Sequence, residues 1–127
     1  MKCKSVVSKN TQPMKFIDSN HSQLLARAMD TYSLRQRVTA ANIANIDTPG
    51  YKKKEVKFED ELRRVQEAGK MSRATGITPR IVETDDELIL EDQLIEQSDT
   101  QIRVNLVTRS LRMHFELLKN GITGINR

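Results

Sequence analysis

Few side chains in this sequence are of a type and spacing that could do bond chemistry. His21 and His114 are the only imidazoles, and Cys3 is the only thiol. A lone cysteine forms no disulfide within its own chain and supplies no Cys-based zinc site. His114 falls between Leu111 and Leu118 at helical spacing, where a packed or interfacial histidine is expected rather than a general base. The acids Asp85, Asp86, Glu87, Glu91 and Asp92 could face a divalent cation, but their spacing matches no EF-hand loop and the required glycine is missing. No glycine-rich phosphate loop occurs. The sequence therefore predicts no catalytic residue, no cofactor site, no metal site and no enzyme activity.

Two other groupings invite noncovalent chemistry. Lys52, Lys53, Lys54 and Lys57 form a basic run that could grip phosphates, with Tyr51 and Phe58 as its only aromatic neighbours and Glu55 interrupting it. A basic helical module that binds nucleic acid is the alternative function drawn from it, and a charged solvated loop is the plainer expectation. The second grouping is the string Ala41-Asn42-Ile43-Ala44-Asn45-Ile46-Asp47-Thr48-Pro49-Gly50-Tyr51. Ala41 and Ala44 permit close approach of another helix, while Asn42 and Asn45 set two amides one turn apart. Asparagine is a poor helix-interior residue, so the pair suggests hydrogen bonds to another backbone that fix a neighbour's register. The competing expectation is a frayed last turn with asparagine as its cap.

These residues need long helices to position them. Across 127 residues, 37% are hydrophobic, 4% aromatic and 30% charged, which leaves little bulky material for a thick core and much solvated surface. The segment from Asp18, Ser19 and Asn20 to Ile46 lacks Gly and Pro and opens on good N-cap types. Leu25, Met29 and Tyr32 make one stripe that resumes at Ile43 and Ile46; Leu34, Val38 and Ala41 make a second beside it. Pro49-Gly50 then supplies the central positions of a type II turn. A second periodic segment carries Val104, Val107, Leu111, His114 and Leu118 on one line and Ile102, Leu106, Met113 and Leu117 on the next, with Gly121 placed to end it. Stripes this wide exceed what one antiparallel partner buries.

Between the helices, Tyr51 to Leu62 reads as an extended stretch passing into a short helix, residues 69–80 as a loop, and Ile81-Val82 as one arm of a hairpin. The other arm is Leu88 to Leu90, turned at Asp85-Asp86. The expected organisation is a flexible arm over 1–17, an N-terminal core helix over 18–47, a turn and variable middle over 48–90, a C-terminal core helix over 91–121 and a tail over 122–127. The expected fold class is all-α, with the two terminal helices paired as a coiled coil around an irregular or weakly β middle. The residues before Met14 are polar and patternless, and read either as that arm or as the product of a start upstream of Met14. No stretch has the length of a membrane span, and the basic N-terminus lacks the apolar run of a cleaved leader. The net charge of +4 permits an anionic partner without requiring one. Residues 83–99 are acidic and residues 100–127 mostly basic, so charge is arranged in blocks that neighbouring chains could match.

At the Ala41–Tyr51 string the chain resembles the bacterial flagellar rod and hook family, whose members end an N-terminal helix with an ANIANxxTPGY-type motif. The preceding SLRQRVTA, the following KKKEVKFEDEL and the lack of a large inserted middle domain resemble the subunits of the proximal rod most. The resemblance spans residues 14–62 closely and 91–121 by pattern; the segment Asn120 to Arg127 does not separate the family's members, so a distal rod protein is a further alternative. It implies a structural subunit whose terminal helices pack against copies of itself and other rod subunits to make a torque-transmitting shaft. It implies contact with the export gate and MS ring at the rod base, export by the flagellar type III apparatus, a place in the periplasm-spanning rod, and neither nucleic acid nor membrane insertion. The motif residues Ala41, Asn42, Ile43, Ala44, Asn45, Thr48, Pro49, Gly50 and Tyr51 would carry assembly. Helix packing would fall to Leu25, Met29, Tyr32, Val38, Ile46, Ile102, Leu106, Val107, Leu111, Met113 and Leu118.

Overall fold

A computed structural model describes residues 20–70, 74 and 76–124. The expected arm over 1–17 with Cys3, the capping positions Asp18 and Ser19, and residues 125–127 of the tail lie outside the described residues. The fold is mostly helical with one small two-stranded sheet: α1 (Asn20–Ala44), β1 (Lys53–Lys57), α2 (Glu59–Glu67), β2 (Arg80–Thr84) and α3 (Leu90–Gly124).

α1 and α3 lie antiparallel. The His21 ring meets the His114 ring at 5.7 Å, Gln36 bonds Gln101 at 3.3 Å, and Asn42 bonds Gln93 at 2.9 Å. As α1 advances, its partners step back along α3. α1 ends before Ile46, where its apolar periodicity had placed the boundary. The Asn45 amide N–H is shared between Ala41 O and Asn42 O at 3.2 Å each, and Ile46 N–H then bonds Ile43 O at 3.4 Å, so the last turn tightens ahead of Pro49. Thr48 O accepts from Tyr51 N–H at 3.2 Å, and Gly50 adopts φ +77°, the geometry a type II turn requires at that position.

At its other end α3 runs through Gly121 to Gly124 instead of stopping at Asn120. Gly121 is not among the glycines with positive φ, so it does not form the left-handed cap expected of it. Within this last turn the Thr123 hydroxyl donates to Lys119 O at 3.0 Å.

The expected hairpin between Ile81-Val82 and Leu88-Leu90 does not form. β2 turns back to β1 in antiparallel register, Lys53 opposite Thr84 and Lys57 opposite Arg80. Charge favours one end of this pairing, where Lys54 faces Glu83 directly at 3.9 Å and Lys52 reaches Asp85 just beyond the strand at 2.8 Å, and opposes it at the other, where Lys57 faces Arg80. Leu90 opens α3 instead, with Gln93 N–H bonding Ile89 O. Asp-Asp is a weak turn former, and the three apolar residues after it suit a helix start better than a paired strand. α2 follows β1 after Phe58, and Glu59, Asp60 and Glu61 fill its first turn, where the helix dipole favours negative charge.

The interior is small and part polar. Tyr32, Val38, Val56, Phe58 and Ala74 are its buried apolar residues, beside buried Thr31, Arg35, Thr39, Asn42, Gln93 and Thr100.

Candidate functional site

The polar interior is concentrated where the end of α1 meets β1, the start of α2 and the first turns of α3. Asn42 is 1% exposed there. Its amide nitrogen donates to Lys54 O at 2.8 Å and to Gln93 Oε1 at 2.9 Å. Its carbonyl oxygen accepts from Lys54 N–H at 3.1 Å and from the Tyr51 hydroxyl at 3.3 Å. Both donors and both acceptor positions of the amide are used. Asn42 thus grips both main-chain groups of one β1 residue, as a strand partner would, while holding α3 through Gln93.

Asn45 behaves differently. Its Nδ2 bonds back to Ala41 O at 2.8 Å, and its Oδ1 accepts from the Thr48 hydroxyl at 3.3 Å. It closes its own helix end, the role of the competing expectation. The sequence assigned both amides to a neighbour's register; the structure gives Asn42's hydrogen bonds to its own chain because the motif turn folds β1 back beside α1.

Next to this clamp is a charge cluster that the sequence pattern did not signal. Arg35, 7% exposed, forks onto Glu59 at 2.8 Å and 2.6 Å. It also donates to Val56 O at 3.3 Å and meets Glu96 at 3.2 Å. Arg103 approaches Glu59 at 3.8 Å and bonds Asp99 at 2.6 Å. Burial by itself pushes Glu59 upward, but the Arg35 hydrogen bonds and charge, with Arg103 beyond, hold its carboxyl below the usual range. Burial likewise pulls on Arg35, and Glu59 then Glu96 more than offset it, so its guanidinium stays firmly charged. These groups line an open polar cavity of about 530 Å³ bounded by Val38, Phe58 and Gln93. The missed signal was spacing: Thr31, Arg35, Val38 and Asn42 follow a 4-3-4 rhythm on α1, yet all but Val38 are polar, so their line was not counted as an inward face.

The lysine run is matched on its own chain. Lys52 pairs with Asp85, Lys54 faces Glu83, and Lys53 and Lys57 bracket Glu55 at 3.0 Å and 2.8 Å. Hydrogen bonds from Lys57 and Lys53 lower the Glu55 carboxyl and Glu55 raises Lys57. Carboxylates sit where a nucleic-acid surface would need phosphates.

The remaining residues singled out from the sequence fall in three groups. Tyr32 and Val38 are buried, and Leu25, Met29, Ile43, Ile46, Tyr51, Val107, Leu111 and Leu118 are half-buried. Ala41, Ala44, Thr48, Pro49 and Gly50 are exposed around the motif turn. Ile102, Leu106 and Met113 are exposed on the outer side of α3. Among the described residues no three His, Cys, Asp or Glu side chains converge as a metal site would require. No helix there is long and apolar enough to cross a membrane.

The segment that builds the clamp also carries a family likeness: residues 23–52 match the sequence model of the family described as flagella basal body rod protein. Along this stretch the chain resembles flagellar rod proteins. It is similar to the flagellar basal body rod protein FlgB of Borrelia hermsii, 56% identical over 41 residues, which are 32% of this chain and 30% of that protein. The FlgB of Escherichia coli is 46% identical over 43 residues, 34% of this chain and 31% of its own length. That of Borreliella burgdorferi is 53% identical over 38 residues, 30% and 28% of the two lengths. The matched stretch thus spans about a third of the curated relatives' length. No solved structure matches the chain. The likeness falls on α1 and its exit turn, and so includes Arg35, Asn42, Asn45 and the Thr48–Tyr51 turn.

Proposed function

We propose that this chain is a structural, non-enzymatic subunit of the proximal rod of the bacterial flagellar basal body. The observation that carries the proposal is the coincidence of the rod-family stretch with the clamp that joins α1, β1 and α3. Around that clamp the fold leaves its outer apolar residues exposed. In this role the terminal helices act as a coiled coil whose outer faces meet copies of the chain and other rod subunits. Exposed Ala41, Ala44, Thr48 and Pro49 allow a neighbour's backbone to approach the motif turn. Torque passes through the shaft so formed, which spans the periplasm and meets the export gate and MS ring at its base. Delivery is by the flagellar type III apparatus.

The experiment is to express the chain with Ile102→Cys in a flagellated bacterium lacking its own proximal rod subunit, and to isolate basal bodies after cross-linking. The expected result is restored swimming, with the introduced thiol joined to rod proteins. Basal bodies without the chain would refute the role. Cross-links confined to distal rod components would move it to a distal member of the family. The nucleic-acid alternative loses support from the four internally matched lysines. A rod subunit should bind DNA weakly, without the steep salt dependence that several phosphate contacts impose.

A further inference from the structure

α3 is apolar on two sides. Val104, Val107, Leu111, His114 and Leu118 are half-buried on the line toward α1. At about 100° per residue, a second line lies on the far side, where Ile95, Ile102, Leu106 and Met113 are 67%, 59%, 58% and 60% exposed. Positions 95, 99, 102, 106, 109 and 113 repeat in steps of four and three, the seam of a two-helix coiled coil. Their residues read Ile, Asp, Ile, Leu, Arg, Met.

The two charged members of this seam decide its partner. Asp99 and Arg109 stand at equal distances from the midpoint between Ile102 and Leu106. In a parallel pair each would meet its own like charge. In an antiparallel pair about a two-fold axis at that midpoint, Asp99 meets the second copy's Arg109, Ile95 meets its Met113, and Ile102 meets its Leu106. A shallow groove of about 390 Å³ is already shaped for this contact, since its walls include Ile95, Ser98, Asp99 and Ile102. Those four make the hole into which a facing coiled-coil side chain inserts, and the residue opposite its centre in the antiparallel register is Arg109. Among the described residues Arg109 has no ion pair within its own chain, whereas Arg103 holds Asp99 in place.

We propose that α3 pairs antiparallel with α3 of a second copy of this chain, a two-fold dimer whose seam is closed by two Asp99–Arg109 contacts. The dimer covers the outer line of the free protein, and it competes with any other partner for that line. It does not depend on the rod proposal.

The test uses the full chain with Cys3→Ser. Sedimentation equilibrium should show a monomer–dimer equilibrium at concentrations up to about 100 μM. Arg109→Asp should weaken it by about tenfold or more by setting like charges together, and Asp99→Arg combined with Arg109→Asp should recover it. Arg109 is exposed but Asp99 is half-buried and bonded to Arg103 at 2.6 Å, so circular dichroism and the melting temperature of each variant must match the parent chain for its dimerisation to be compared. A spin label at Asn120→Cys fixes direction: antiparallel copies hold the labels about 50 Å apart along the axis, parallel copies about 10 Å. A strictly monomeric chain, a dimer indifferent to Arg109→Asp in a folded protein, or the short label distance would each overturn the proposal.

Discussion

Asn42 and Asn45 show how far two identical side chains three positions apart can differ in consequence. Replacing Asn42 by Ala strips both main-chain groups of Lys54 of their partner at a part-buried junction. The expected loss is about 2–3 kcal/mol, read as a lower urea midpoint. Asn45→Ala removes only local bonds at a half-exposed helix end, and should cost about 0.5–1 kcal/mol. Glu59 adds a pH signature. Its folded carboxyl lies below the unfolded value, so its stabilisation is complete above the unfolded value of about 4.3 and is lost as pH falls through the depressed folded value. Glu59→Gln should therefore cost about 1 kcal/mol at pH 7 and progressively less in acid, as pH falls through the depressed folded value. Equal destabilisation at pH 7 and in acid would show that Arg35 gains nothing from the charge.

Among the elements, the motif turn and the two faces of α3 carry the clearest expectations. Gly50 has open space around its Cα but φ +77°, so Gly50→Ala is strained through the backbone alone and should cost about 1–2 kcal/mol. On α3, Leu111→Ala removes a half-buried contact with the helix pair and should cost about 1–2 kcal/mol. Ile102→Ser on the exposed side should leave the melting temperature of a dilute sample within about 2 °C. The helices and the turn could be read from the sequence because Pro49-Gly50 and long runs free of Gly and Pro are local signals. The strand pairing could not. Arg80–Thr84 lies far along the chain from Lys53–Lys57, and nothing within either segment announces that Glu83 will oppose Lys54 rather than turn toward Leu88. The clamp was legible only in part: the amides of Asn42 and Asn45 stood out, but Arg35, Glu59 and Gln93 look like surface residues until three elements converge on them.

For the whole molecule, the buried apolar set is only Tyr32, Val38, Val56, Phe58 and Ala74 among the described residues. Hydrogen bonds and ion pairs at one junction therefore do much of the holding, and the shared partners make their losses non-additive. Removing Asn42 and Gln93 together should cost less than the sum of the single losses, by about 0.5–1 kcal/mol in a double-mutant cycle. Independent addition would mean that the two side chains do not act through their 2.9 Å bond.

The antiparallel helix pair has a temporal consequence. It unites the first and last described elements, bringing His21 beside His114, so its contacts close the longest loops available in the chain. A nascent chain that emerges from its N-terminus has α1, the turn and β1 in hand early, but Gln93, Glu96 and Arg103 arrive late. Until they do, Asn42 holds only one of the two sides it is built to join. Completion of this fold is tied to delivery of the last third of the polypeptide, and a chain halted before Leu90 stays unfinished however long it waits.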